Sequence, residues 1–256
     1  MPFSQTRLMT ATHKMLMDNP PDVAILPWGA TEAHGRHLPY GTDAIEATAI
    51  AEHAADLAFQ QGARVIVLPA VPFGNNAQQM DQVAAIHLNT TTSFALLTDV
   101  CKSLTAQGID RLILLNAHGG NEFKPLVRDI MARLDIFIVI INFWQLIPEV
   151  QSQIFEENLD HADEMETSLL LYLCPERVQM DDAGDGKRNP FGIEGLTQPG
   201  VWTPRPWTAS HPDLGSGDPG KASKEKGERY FHAVCDAIRD VIITVSRAQK
   251  GEMPYV

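Results

Sequence analysis

The chain has 256 residues, of which 44% are hydrophobic, 7% aromatic and 20% charged. This is the composition of an ordinary globular protein with a sizeable core, and it excludes a disordered chain, a collagen or a peptide scaffold. Lys and Arg number 20 against 32 Asp and Glu, a formal net charge of −12, which argues against nucleic acid or an anionic membrane as a partner because both demand clustered cations.

The length allows one large domain or two small ones, and the reading is a single domain over residues 1–256. The N-terminal stretch MPFSQTRLMTATHKMLMDNP has neither a continuous apolar run nor a small-residue cleavage site, so it does not read as a secretory signal. The longest apolar stretch, Ile136 to Ile147 with Asn142 and Gln145 inside it, falls short of the roughly 20 residues of a membrane helix. A cytoplasmic protein is expected. Cys101, Cys174 and Cys235 are odd in number and form no C-x-x-C pair, which fits a reducing compartment and excludes a disulfide framework or a Cys-type zinc site. Any metal must then be held by His and carboxylates.

In chain order, a short β-branched or leucine-rich run at Val23 to Leu26 predicts a buried strand, followed by helical periodicity over Ala44 to Gln61. A strand at Val65 to Leu68, a helix over Thr92 to Gln107, a strand at Leu112 to Leu115, a helix over Glu122 to Leu134 and a strand at Ile136 to Ile141 follow. This β-α-β-α order predicts an α/β fold, a mostly parallel sheet with helices on both faces. Its continuously apolar strands are what a sheet covered on both sides requires. From Gln179 to Gly220 the chain is rich in Gly, Pro and Asp and reads as a long irregular excursion, which Trp202 and Trp207 mark as packed rather than floppy. A loop of that length is usually functional or disordered. Here it is expected to cover the site and set substrate choice. Helical spacing returns from Lys221 to Gln249.

The densest cluster of metal-ligand types, Glu32, His34, His37 and Asp43, follows the first strand. It lies where open parallel sheets bind ligands, outside the carboxyl ends of the strands. In an extended loop Glu32 and His34 share a side. Asp43 taken alone reads as a helix N-cap completed by Glu46 in a capping box, and His37 before Leu38-Pro39 reads as a histidine that packs, or that supports a ligand from behind, rather than as a ligand itself. The strand over Leu112 to Leu115 ends in LLNAHGGNE, bringing His118 to the same edge, with Gly119 and Gly120 letting backbone N–H groups approach a ligand. In HADEMETSLLLYL, Glu166 precedes Leu169, Leu170 and Leu173 at helical spacing. It is therefore centred on the apolar face, whereas Glu164 points toward water. A carboxylate on a buried face needs an ion pair or a cation. No Lys or Arg lies one turn from Glu166, which favours a metal. His161 at the start of this helix is a candidate acid/base group.

Together Glu32, His34, Asp43, His118 and Glu166 offer two imidazoles and three carboxylates, enough for two divalent ions sharing a bridging carboxylate. Mixed N/O ligation suits zinc, manganese or iron.

The segments PWGATEAHGRHLPYGTD (27–43), NAHGGN (116–121), HADEMETS (161–168) and GDPGKASKEKG (217–227) resemble, in order, the motifs of the creatininase, or creatinine amidohydrolase, family. The resemblance implies a three-layer α/β/α fold, a two-metal hydrolase site filled by zinc or manganese, and a homo-oligomer that is often a hexamer. It makes Glu32, His34, Asp43 and His118 ligands with Asp43 the bridge, and gives His161 and Glu166 roles toward substrate and metal. Two departures count against creatinine itself. Gly120 stands where creatininase has a ligating Glu, for which Glu166 is the expected substitute, and Glu157 stands where it has a Trp.

The expected function is hydrolysis of a non-peptide C–N bond in a small, cyclic amide by metal-activated water, with His161 protonating the leaving nitrogen. Gly119, Gly120 and Trp202 are expected to bind substrate. Hydrolysis of a C–C bond in a cyclic polyol ketone is the alternative chemistry, and a non-catalytic metal- or small-molecule-binding protein on the same fold is the rival class.

Overall fold

The computed structural model describes residues 5–156 and 160–248. Its elements are α1 (His13–Asp18), β1 (Val23–Trp28), α2 (Thr42–Gln60), β2 (Val65–Val67), α3 (Thr90–Ala106), β3 (Arg111–Asn116), α4 (Lys124–Met131), β4 (Phe137–Asn142), α5 (Pro148–Ile154), α6 (Glu164–Leu173), α7 (Trp207–Ser210) and α8 (Lys224–Arg247). The four strands form one all-parallel sheet in the order β2-β1-β3-β4. Helices cover both faces, giving a three-layer α/β/α sandwich.

The pleat sorts the strand side chains into two cores. Val23, Ile25, Ile113 and Leu115 face α2, α6 and α8, while Ala24, Leu26, Trp28, Leu112 and Leu114 face α3 and α4, as a period of two demands. All six residues of β1 are buried, so this strand is central and reads as continuously apolar. β1 and β3 run side by side from Val23↔Arg111 to Trp28↔Asn116. The chain leaves β1 toward β2 on one side and returns to β3 on the other. Between their carboxyl ends lies the topological switch point, where such sheets hold ligands.

The four strands expected from sequence are present. α2, α3 and α4 match the expected helices with shifted ends, and α1 and α5 add to them. Residues 179–220 form an irregular excursion interrupted by one short 3₁₀ turn, Met180–Asp182, and the single turn of α7. Gln249, the expected end of the last helix, and Glu157 lie outside the described residues.

One expectation is overturned. Glu164 does not point toward water: it is 1% exposed, and every residue from Glu164 to Leu170 is buried. The reason is tertiary. α8 closes over the face of α6 opposite the leucine stripe, and Gly227 makes the approach possible, because a side chain there would overlap the Ser168 carbonyl. The Glu164 carboxylate is satisfied by the Lys226 ammonium of α8 and by the Glu156 N–H at 2.8 Å. No Lys or Arg lies one turn away along α6, and the cation arrives from another helix.

A candidate metal centre at the ends of β1 and β3

The loop after β1 brings Glu32 and His34 back over the sheet edge, and the first turn of α2 presents Asp43. Asp43 is not the N-cap: Gly41 takes that place, and the Asp43 side chain is 1% exposed with its Oδ1 2.6 Å from His34 Nε2. The capping-box reading fails for Glu46 too. Its carboxylate is fully buried without a hydrogen-bond partner. Burial, followed by Glu166 and Asp43, pushes it well above the ordinary carboxylate range. The D-x-x-E spacing concealed this residue by mimicking a surface cap.

His118, just past β3, joins the same cluster. Its Nδ1 stands 3.0 Å from Glu32 Oε1 and 3.2 Å from Asp43 Oδ2. The pairs are close but poorly aligned as hydrogen bonds, since both Glu32 oxygens and Asp43 Oδ2 lack a partner of good geometry. Gly120 is required beneath His118, because a Cβ there would overlap His118 Nε2 and the Asn75 carbonyl. A glutamate at 120 is thus sterically incompatible with this histidine's position. Glu166 supplies a carboxylate from the opposite side, within 4.8 Å of ligand atoms of His34 and Asp43. Its Oε2 accepts the Ala162 N–H. Ala162 adopts φ +50°, a left-handed conformation unusual for a residue with a Cβ, and that kink lets His161 and Glu166 face one space.

The three histidines share one arrangement. His34 Nδ1 lies 3.2 Å from the Glu32 carbonyl, His118 Nε2 3.1 Å from the Asn75 carbonyl, and His161 Nε2 2.8 Å from the Ala33 carbonyl. A carbonyl only accepts, so each of these nitrogens carries the N–H. The other nitrogen of each ring faces the carboxylates, with His161 Nδ1 3.6 Å from Glu32 Oε1. This is how metal-ligating histidines are held. Among the described residues three groups could hold an ion: Glu32–His34–His161, Glu32–Asp43–His118 and His34–Asp43–Glu166. His161, expected as an acid/base group, therefore also stands within ligand distance.

The electrostatics of the cluster without metal are those of trapped protons. Burial opposes the charge on His34, but Asp43, Glu166 and Glu32 raise it to about 10, and His118 is raised likewise by Glu32 and Asp43. Burial alone would raise Glu32, yet His118 and His161 hold it below the usual range. Burial lifts Glu166 to about 8. His37 belongs to none of these three groups. It bonds Thr167 Oγ1 at 2.9 Å, and burial with the nearby His34 lowers it to about 4.

The cluster opens onto a cavity of about 930 Å³ lined by Glu32, His118, Gly119, Gly120 and His161 and, from the excursion, by Trp202, Arg205 and Trp207. The two tryptophans differ. Trp202 is 82% exposed at the cavity wall, whereas Trp207 is 3% exposed, stacks on His211 at 3.9 Å and meets the His161 ring edge-on at 5.1 Å. Asn75, Gln78 and Arg205 also reach the cavity, and no pattern of spacing in the sequence marks them.

A buried cluster of imidazoles and carboxylates at the switch point of a parallel sheet defines the class: an α/β protein built around a candidate metal centre. The creatinine amidohydrolase family profile matches residues 8–242, and the chain belongs to this family of hydrolases. Its relatives include a creatinine amidohydrolase of Pseudomonas putida, 30% identical over 86% of this chain and 88% of that protein. A mycofactocin precursor peptide peptidase of Mycobacterium tuberculosis is 27% identical over 90% of this chain and 87% of its own. A 3-dehydro-scyllo-inosose hydrolase of Thermotoga maritima is 25% identical over 91% and 81%. A crystal structure of a provisionally assigned creatinine amidohydrolase from Bacteroides fragilis superposes with a TM-score of 0.89 at 37% identity, covering 96% of this chain and 98% of that one.

Proposed function

We propose that this chain is a divalent-metal-dependent amidohydrolase that cleaves the non-peptide C–N bond of a small, cyclic amide, acting as one domain. The observation that carries the reading is the shared arrangement of the three histidines, each anchored through one nitrogen to a main-chain carbonyl and turned toward the same carboxylates. The donor set fits two zinc or manganese ions, with iron the third choice. Glu32, His34, Asp43, His118 and Glu166 would hold them, and Asp43 would be shared because its two oxygens face His34 and His118 separately. When bound, such ions lower the pKa of water and polarise a carbonyl.

The chain's own residues supply the rest. His161, its Nε2–H held by the Ala33 carbonyl and its ring edge-on to Trp207, takes the proton released by the attacking water on Nδ1 and passes it to the leaving nitrogen. Gly119 and Gly120 line the floor beside His118 and leave room for the scissile group, and Trp202 offers a broad apolar face to a ring. The test is hydrolysis of a panel of small lactams and amides by protein that has been chelated and then reloaded with zinc or manganese. Activity that follows metal content supports the reading, and undiminished activity after chelation overturns it.

The similarity to the inosose hydrolase favours a second reading, hydrolysis of a C–C bond in a cyclic polyol ketone. Product identity separates the two, since only the first releases an amine. We also place the protein in the cytoplasm, on the strength of buried, unpaired Cys101, Cys174 and Cys235. It is read as a homo-oligomer, a hexamer by resemblance, supported by strongly exposed Val83, Ile193 and Trp202 and checked by light scattering.

A further inference from the structure

The cavity is larger than a single five-membered ring needs. Its volume of about 930 Å³ sits at the upper end of the roughly 300–1,000 Å³ of small-molecule pockets. Its carboxylates are Glu32, Glu122 and Asp160. Arg205 is the one guanidinium or ammonium among the described lining residues. The Arg205 guanidinium is fixed over the Trp207 ring, 4.8 Å from its centroid, and donates to Asp160 Oδ2 at 3.0 Å, while its main-chain N–H is held by Gln78 Oε1 at 3.1 Å. Arg188 approaches the same Asp160 oxygen at 3.8 Å. Among the described residues two arginines thus share one carboxylate, and one positive charge is left over. The adjacent His211 does not add to it, since burial and these arginines lower it to about 4.

A preorganised, half-buried guanidinium with spare donors, in a chain of net charge −12, is built to take a planar anion in bidentate fashion. Glu122, on the loop after β3, makes the rest of the rim unfavourable to such a group. The geometry points to Arg205 as a specificity-determining residue that recognises a carboxylate on the substrate, away from the scissile amide. This rests on the amidohydrolase reading and deepens it: the substrate class is a small amide that also bears a free carboxylate. Arg205 is separated from the metal cluster by Trp207 and His161. A lactam bearing one further amino-acid residue, which adds about 3.3–3.6 Å of extended chain, sets a carboxylate apart from the ring amide.

Pyroglutamyl-phenylalanine and its C-terminal carboxamide are the probes, titrated calorimetrically into metal-loaded and chelated protein. The free acid should bind about tenfold more tightly than the carboxamide, as for a hydrogen bond to a charged group. Arg205→Gln should bring that ratio below about twofold without weakening the carboxamide. Asp160→Asn frees Arg205 from its internal competitor and should raise the ratio. A merely structural Arg205–Asp160 pair would instead make both variants behave alike. Equal affinities in the native protein, no measurable binding of the acid, or a ratio that survives Arg205→Gln and vanishes on chelation each overturn the proposal. The last would put the carboxylate on the metal. Hydrolysis is scored separately by product analysis, so failure of the amidohydrolase reading shows as intact probes, whereas failure of this inference shows in the binding ratio.

Discussion

Glu164 and Glu166 are neighbours on one helix, both buried, and their amides should fail in opposite ways. Glu164 is 1% exposed and its partner Lys226 22%. Glu164→Gln removes one half of a buried pair and leaves an ammonium facing a neutral amide. Such losses cost roughly 3–5 kcal/mol, and the part-exposed lysine, which can turn toward water, places this one near the lower end. For a chain of this size about 3 kcal/mol corresponds to a fall in Tm of roughly 6–12 °C. Metal content should not change, because the Glu164 carboxylate belongs to none of the groups able to hold an ion. Glu166→Gln should keep its helix, since an amide oxygen still accepts the Ala162 N–H, yet lose one ion with the His34–Asp43–Glu166 group. Thermal unfolding by circular dichroism and metal analysis of the same samples read both effects. If Glu164→Gln melts normally, or both variants lose metal equally, the division between a structural and a ligating carboxylate is wrong.

Gly120→Ala must push the His118 ring off the Asn75 carbonyl, and metal affinity measured with a chelating indicator should fall about tenfold to a hundredfold, as when such outer contacts are lost. Trp202→Ala should change KM or substrate preference at constant Tm. Trp207→Ala should lower stability by about 3–5 kcal/mol, because its ring is packed between His161 and His211. The metal-free protein should grow less stable as pH rises. Glu166 is raised from 4.5 to about 8 and His34 from 6.5 to about 10, so the unfolded chain gives up these protons first, and the stability they contribute is lost between about pH 4.5 and 8 for Glu166 and between about 6.5 and 10 for His34. Thermal-shift curves of chelated protein should fall between neutral pH and pH 9 while those of metal-loaded protein stay flatter, and parallel curves would contradict this.

The sheet was legible because its strands are buried on both faces and so read as unbroken apolar runs such as Val23 to Leu26. The ligand types were legible because Glu32, His34 and His118 follow strand ends. What escaped depends on chain segments distant in sequence. Glu164 looked solvent-facing on the periodicity of α6 alone, and only the closure of α8 at Gly227 buries it. Glu46 lay hidden in a capping-box pattern. Arg205 sits in an excursion without periodicity, where nothing local announces that its guanidinium lies on Trp207 and over the cavity.

Asp43→Ala tests the central claim most directly, because the account gives that carboxylate to both metal positions. Metal analysis of purified, zinc-reloaded protein should find up to two ions per native chain and a loss of more than one in the variant, with His37→Ala retaining nearly all. Native-like metal content in Asp43→Ala would contradict the shared-carboxylate centre on which the proposed hydrolysis depends.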